Sequence, residues 1–176
     1  MPIVPDVKDW TWVLERPCAQ CGFDAAATSY AAVPTLTRDT AVRFAAVLDR
    51  PGVRLRPDES TWSALEYGAH VRDVCRLFDT RLGLMLAGDP GGEPPRFPNW
   101  DQDATAVADR YNEQDPARVA AELADAAERV ARSFASVPPE RRGLRGARGD
   151  GAEFTVESFA RYFVHDLLHH VHDVQG

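Results

Sequence analysis

Trp62-Ser63-Ala64-Leu65-Glu66-Tyr67-Gly68-Ala69-His70 opens the stretch that decides the fold, and its pattern runs on to Met85. Ser63 and Glu66 have the Ser-x-x-Glu spacing of a capping box, in which each side chain satisfies a backbone N–H left orphaned at a helix start. Leu65, Ala69, Val74, Leu77, Phe78, Leu82 and Met85 then recur mostly three to five residues apart, the period of a helix with one apolar face. Gly88-Asp89-Pro90 ends it, because Pro cannot continue the hydrogen-bond ladder.

Three further helices read outward from the same signals. Thr35 to Leu48 places apolar residues at Leu36, Ala41, Phe44, Ala45, Val47 and Leu48, and Arg50-Pro51-Gly52 stops it. Asp115-Pro116, an N-cap followed by Pro at the first helical position, starts a helix that runs to Val137-Pro138-Pro139. Thr155 caps a last helix from Val156 to Val174. The Pro- and Gly-rich segment after Pro90 carries only a short helix around Ala104 to Tyr111, and Arg141 to Gly151 reads as a basic, Gly-rich loop. No period-2 run marks a strand. The expectation is an all-α fold, a four-helix bundle over residues 32–176. A long crossover between helices two and three lets those two run parallel, and an irregular N-terminal lead-in, residues 1–31, packs on the bundle.

The chain has 176 residues, with 20 Lys+Arg against 27 Asp+Glu and a net charge of −7. That balance argues against a nucleic-acid partner, since no continuous face would neutralise phosphates. No apolar run of about 18 residues predicts a membrane span, and Met1-Pro2-Ile3-Val4-Pro5-Asp6 lacks the basic start and apolar core of an export signal. The expected location is cytoplasmic and the expected partner a small-molecule substrate, with a homodimer as a further expectation. Every basic residue except Lys8 is Arg and Ala is abundant, the bias of a GC-rich coding genome.

All five His fall on two of the helices. His165 and His169 are four apart, so both project from one helix face and suit a single divalent metal. His70 lies about seven residues after the start of helix two, and the pair is centred about seven before the end of helix four. Antiparallel packing of these helices would bring three imidazoles to one level, with positions left open for water or substrate. A lone His at a helix margin is ordinarily a solvated or hydrogen-bonded side chain; the argument for a site is the coincidence of three. Glu66 and Asp73 beside His70, and Asp166 and Asp173 beside the pair, are the carboxylates expected to fix imidazole tautomers. His170 and His172 are expected at solvent or on the last carbonyls of the helix.

Trp62-Ser63 followed by His70, together with a closing helix carrying His165-Asp166-x-x-His169, resembles the DinB-like superfamily of metal-binding four-helix bundles. That group includes mycothiol-dependent maleylpyruvate isomerases and thiol S-transferases. The resemblance covers about residues 35 to 175 and maps the family's three metal-ligand histidines onto His70, His165 and His169. Where members commonly continue x-Gly-Gln, this chain reads His170-Val171-His172. The implied cofactors are a divalent ion, zinc or nickel, and mycothiol or another low-molecular-weight thiol.

Cys18-Ala19-Gln20-Cys21-Gly22 has the form of one knuckle of a zinc ribbon. A set of two Cys and two His completed by His170 and His172 is one reading, and a turn of reduced, partly buried thiols is the other. Cys75 reads as core packing. Arg145, with Arg141, Arg142 and Arg148, suits an anionic substrate if the loop lies beside the metal. Trp62 and Tyr67 are candidate walls of a substrate pocket, with core packing as the alternative. Two functional readings follow, beside the plainer one of a metal-free structural bundle that dimerises through its helices. One is a metal-dependent transferase or isomerase in which the metal activates a thiol or water. The other is a non-catalytic bundle that binds a small molecule or metal.

Overall fold

A computed structural model describes residue 3 and residues 9–176 of the chain. Its four long helices are α1 (Val33–Leu48), α2 (Ala64–Ala87), α4 (Pro116–Ala135) and α5 (Val156–Asp173), with a short α3 (Gln102–Ala108) in the crossover. Each long helix after the first begins where the sequence reading places its cap. At α2 the Ser63 N–H donates to Glu66 Oε2 at 2.8 Å and the Glu66 N–H to Ser63 Oγ at 3.3 Å. Asp115 Oδ1 accepts from the Arg118 N–H at 2.8 Å at the start of α4. Thr155 and Ser158 exchange bonds at the start of α5, with the Ser158 N–H donating to Thr155 Oγ1 at 3.1 Å.

Side-chain partners fix the helix directions. Arg72 of α2 bonds Glu122 of α4, and Ser133 of α4 bonds Asp79 further along α2, so these two helices run parallel, as the long crossover allows. Tyr30, just before α1, reaches the Phe134 carbonyl, while Arg38 pairs with Glu128; α1 therefore opposes α4. On α5, His170 meets His70 of α2 and Phe159 stacks on Phe78, so α5 opposes α2. The order is up, down, down, up. One continuous core fills the centre, with Phe44, Leu82, Leu123, Phe134, Phe159 and Phe163 almost wholly buried.

The expected absence of strands does not hold. β1 (Arg96–Phe97), β2 (Arg145–Arg148) and β3 (Glu153–Thr155) form a small sheet in that order, β1 parallel and β2–β3 antiparallel. The strands are two to four residues long, too short to show alternation. Gly146 belongs there because an added Cβ would sit 2.6 Å from Met85 Cγ and 2.9 Å from the Phe97 ring. The basic loop is thus partly ordered. Arg145 lies on β2 against the Gly92 carbonyl and Glu153, and Arg142 covers the Tyr30 ring. Among the described residues, no helix is long and apolar enough to cross a membrane.

Glu66 combines its cap role with an ion pair to Arg56, whose Nε donates at 3.0 Å. Burial alone would raise its carboxyl, but Arg56 and the Ser63 N–H outweigh it and hold the group below its ordinary range. Glu66→Ala should therefore lower unfolding free energy by about 1–3 kcal/mol, measured by urea denaturation at neutral pH. Because the folded-state pKa is depressed, this contribution is present above the usual carboxylate range and fades as pH falls through the lower value. The gap between wild type and variant should close in acid.

Candidate metal centres

Successive residues on a helix are turned by about 100°, so 165/169 and 166/170 form two adjacent stripes on α5. Each stripe gathers its own set of metal-ligand side chains. Cys18, Cys21, His165 and His169 form one set, and His70, Asp166 and His170 the other; within each set the ligand atoms lie within 4.8 Å of one another. The three histidines expected to share an ion are therefore divided. The 165/169 stripe faces the lead-in and the 166/170 stripe faces α2.

His70 is 1% exposed, and neither of its ring nitrogens has a hydrogen-bond partner among the described residues. Its ring is stacked on Trp100 at 5.3 Å, with Trp62 at 5.2 Å and His170 edge-on at 4.8 Å. His170 Nε2 lies 3.2 Å from Asp166 Oδ1, and its Nδ1 lies 2.9 Å from Asp173 Oδ2. Burial, then the charge on His170, pushes His70 down to about 3, so its imidazole is neutral and keeps a lone pair. For His170 burial disfavours the charge, but the hydrogen bonds of Asp166 and Asp173 prevail and raise it to about 9. Asp166 is opposed by burial too, yet the bond with His170 brings it down to about 2.

This set offers two imidazoles and one carboxylate, the donor pattern of a metal site with open positions. An orphaned, neutral imidazole facing it is the observation that fits a divalent ion. Asp173 would hold the far nitrogen of His170, the arrangement that aims a ligand imidazole at its metal. Tyr67 packs on His170 at 5.1 Å and Trp62 on His70 at 5.2 Å, so both rings lie against this cluster. Trp100 is the residue that reading missed. It sits in the irregular crossover, where no periodicity announces a partner. His170 differs from expectation as well: its side chain is 16% exposed and turned to His70, not to solvent.

Glu66 and Asp73 do not touch His70. Glu66 serves the α2 cap and Arg56, while Asp73 accepts from Arg72 at 2.9 Å and from the Tyr111 hydroxyl at 2.6 Å. Asp166 is next to His170, as a candidate ligand in its own right.

The second set joins the lead-in to α5. Cys18 Sγ lies 3.7 Å from His169 Nδ1. The turn is closed by the Cys18 N–H on the Phe23 carbonyl at 2.8 Å and the Gly22 N–H on the Cys18 carbonyl at 2.9 Å. Gly22 has φ +76°, a left-handed conformation that favours glycine. His165 is 3% exposed, and its Nε2 has no hydrogen-bond partner among the described residues. Burial, then the neighbouring His169, lowers His165 to about 4, and burial pushes the Cys21 thiol up to about 11.

No curated protein matches the chain. Among solved structures it resembles YfiT from Bacillus subtilis, described as a probable metal-dependent hydrolase with an unusual four-helix bundle topology. The TM-score is 0.70 at 15% identity, over 81% of this chain and 82% of that one, which bears out the bundle fold. The family model for the DinB superfamily matches residues 35–174. That span takes in α2, α4 and α5, all but the first two residues of α1, and both His-bearing segments, and the chain belongs to the DinB superfamily.

Proposed function

We propose that this protein is a metal-dependent enzyme acting on a small electrophile, with a zinc or nickel ion held by His70, Asp166 and His170. The orphaned nitrogens of buried His70, facing Asp166 and His170, carry the reading. A bound divalent ion supplies Lewis acidity, which makes a water or a low-molecular-weight thiol such as mycothiol nucleophilic at neutral pH. The similarity to a protein described as a probable metal-dependent hydrolase supports water as the nucleophile. The resemblance to thiol transferases and isomerases supports a thiol.

The chain's own residues would divide the remaining tasks. His70 presents a neutral ring, locked between Trp62 and Trp100, and so needs no proton loss before ligation. Asp173 fixes His170 through Nδ1 and so aims Nε2, 3.2 Å from Asp166 Oδ1, at the side facing His70. Trp62, Trp100 and Tyr67 form a wall of flat rings that excludes water from one side and favours a planar or apolar substrate.

Zinc- or nickel-loaded protein should turn over an activated aryl ester, or conjugate a thiol to an aryl halide, and His70→Ala should reduce that rate to background with the helical circular dichroism unchanged. Dependence on added thiol tells transfer from hydrolysis. Metal-dependent ligand binding without product would overturn the enzymatic reading in favour of a binding module. Asp173→Asn should weaken metal binding about 10–100-fold, measured by competition with a chromophoric chelator, because His170 loses the carboxylate that orients it.

A further inference from the structure

We propose a second metal site: a tetrahedral zinc centre formed by Cys18, Cys21, His165 and His169, which fastens the N-terminal lead-in to α5. It shares no ligand with the His70 cluster and stands whether or not that cluster is catalytic. Four protein ligands fill a zinc tetrahedron and leave no position for substrate, so the role is structural.

The geometry fits the ion. With Zn–S near 2.3 Å and Zn–N near 2.0–2.1 Å, the S···N edge of a tetrahedron is about 3.6 Å. Cys18 Sγ and His169 Nδ1 are 3.7 Å apart, and all four ligand atoms lie within 4.8 Å of one another. The Cys18–Gly22 turn carries both thiols on one short loop, tied by its own backbone bonds. One helical turn separates the two imidazoles, which therefore share a face.

A second observation points to a ligand. His165 is 3% exposed, and its buried Nε2 has no hydrogen-bond partner among the described residues. A turn of reduced thiols that merely packs on α5 leaves that nitrogen unsatisfied, whereas a metal satisfies it. Trp10 covers both imidazoles, with ring centroids 5.6 Å from His165 and 5.0 Å from His169, and Phe23 lies 5.5 Å from His165. These rings make a dry shell. Two thiolates and one Zn²⁺ sum to zero charge, so closing it buries no net charge. Each thiol gives up its proton to solvent as zinc binds.

The test uses the full chain. Purified without chelator, wild type should retain about one zinc per chain at this centre, by elemental analysis. Replacing that zinc by cobalt should give thiolate-to-cobalt charge-transfer absorption and the strong visible bands of a tetrahedral ion. His70→Ala should keep both signals, whereas Cys18→Ser and Cys21→Ser should each lose the charge-transfer intensity. Chelation should lower the melting temperature of wild type and of His70→Ala alike. A cobalt spectrum of wild type without thiolate bands overturns the proposal even if every variant fails to fold. So does a Cys18→Ser/Cys21→Ser double variant with undiminished zinc and melting temperature. Loss of turnover in His70→Ala with the cobalt bands intact would separate the two sites.

Discussion

A buried imidazole with nothing to bond is the constraint on which the site depends. Burying a polar group without a partner costs about 1–3 kcal/mol, and among the described residues neither ring nitrogen of His70 finds one inside its case of aromatic rings. The antiparallel contact of α2 with α5 sets Asp166 and His170 opposite it. In the proposed metal centre that unsatisfied ring is the donor a cation would use. His165 Nε2 repeats the pattern on the neighbouring stripe.

Most of the architecture was legible because helix signals are local. Ser63-x-x-Glu66, Asp115-Pro116 and Thr155 name their helix starts within a few residues, and the structure uses each as a cap. The length of the crossover carried the parallel setting of α2 and α4. The sheet was not legible, because a strand of two residues has no period to detect.

The site was legible in its level along the bundle but not in its azimuth. Residue counts from helix ends place His70 beside the 165–170 segment, yet one residue of rotation separates the two stripes of α5, and counting cannot choose between them. Packing chooses. The lead-in with Trp10 and Phe23 takes His165 and His169, and α2 takes Asp166 and His170. Cys18 and Cys21 announce a short turn by their spacing, but the histidines gathered beside them lie more than 140 positions later, where no local pattern reaches. Glu66 shows the converse error: it is near His70 in sequence, but its carboxylate is already engaged at the helix start.

Both clusters draw on α5, and Cys18 and His169 are 151 positions apart in the chain. Since a ribosome delivers the polypeptide from its first residue onward, the thiols emerge long before either imidazole that faces them. Neither cluster can close until the final helix has left the exit tunnel and docked. An ion held by either proposed centre would therefore be taken up only at the close of biogenesis, once the last helix has docked.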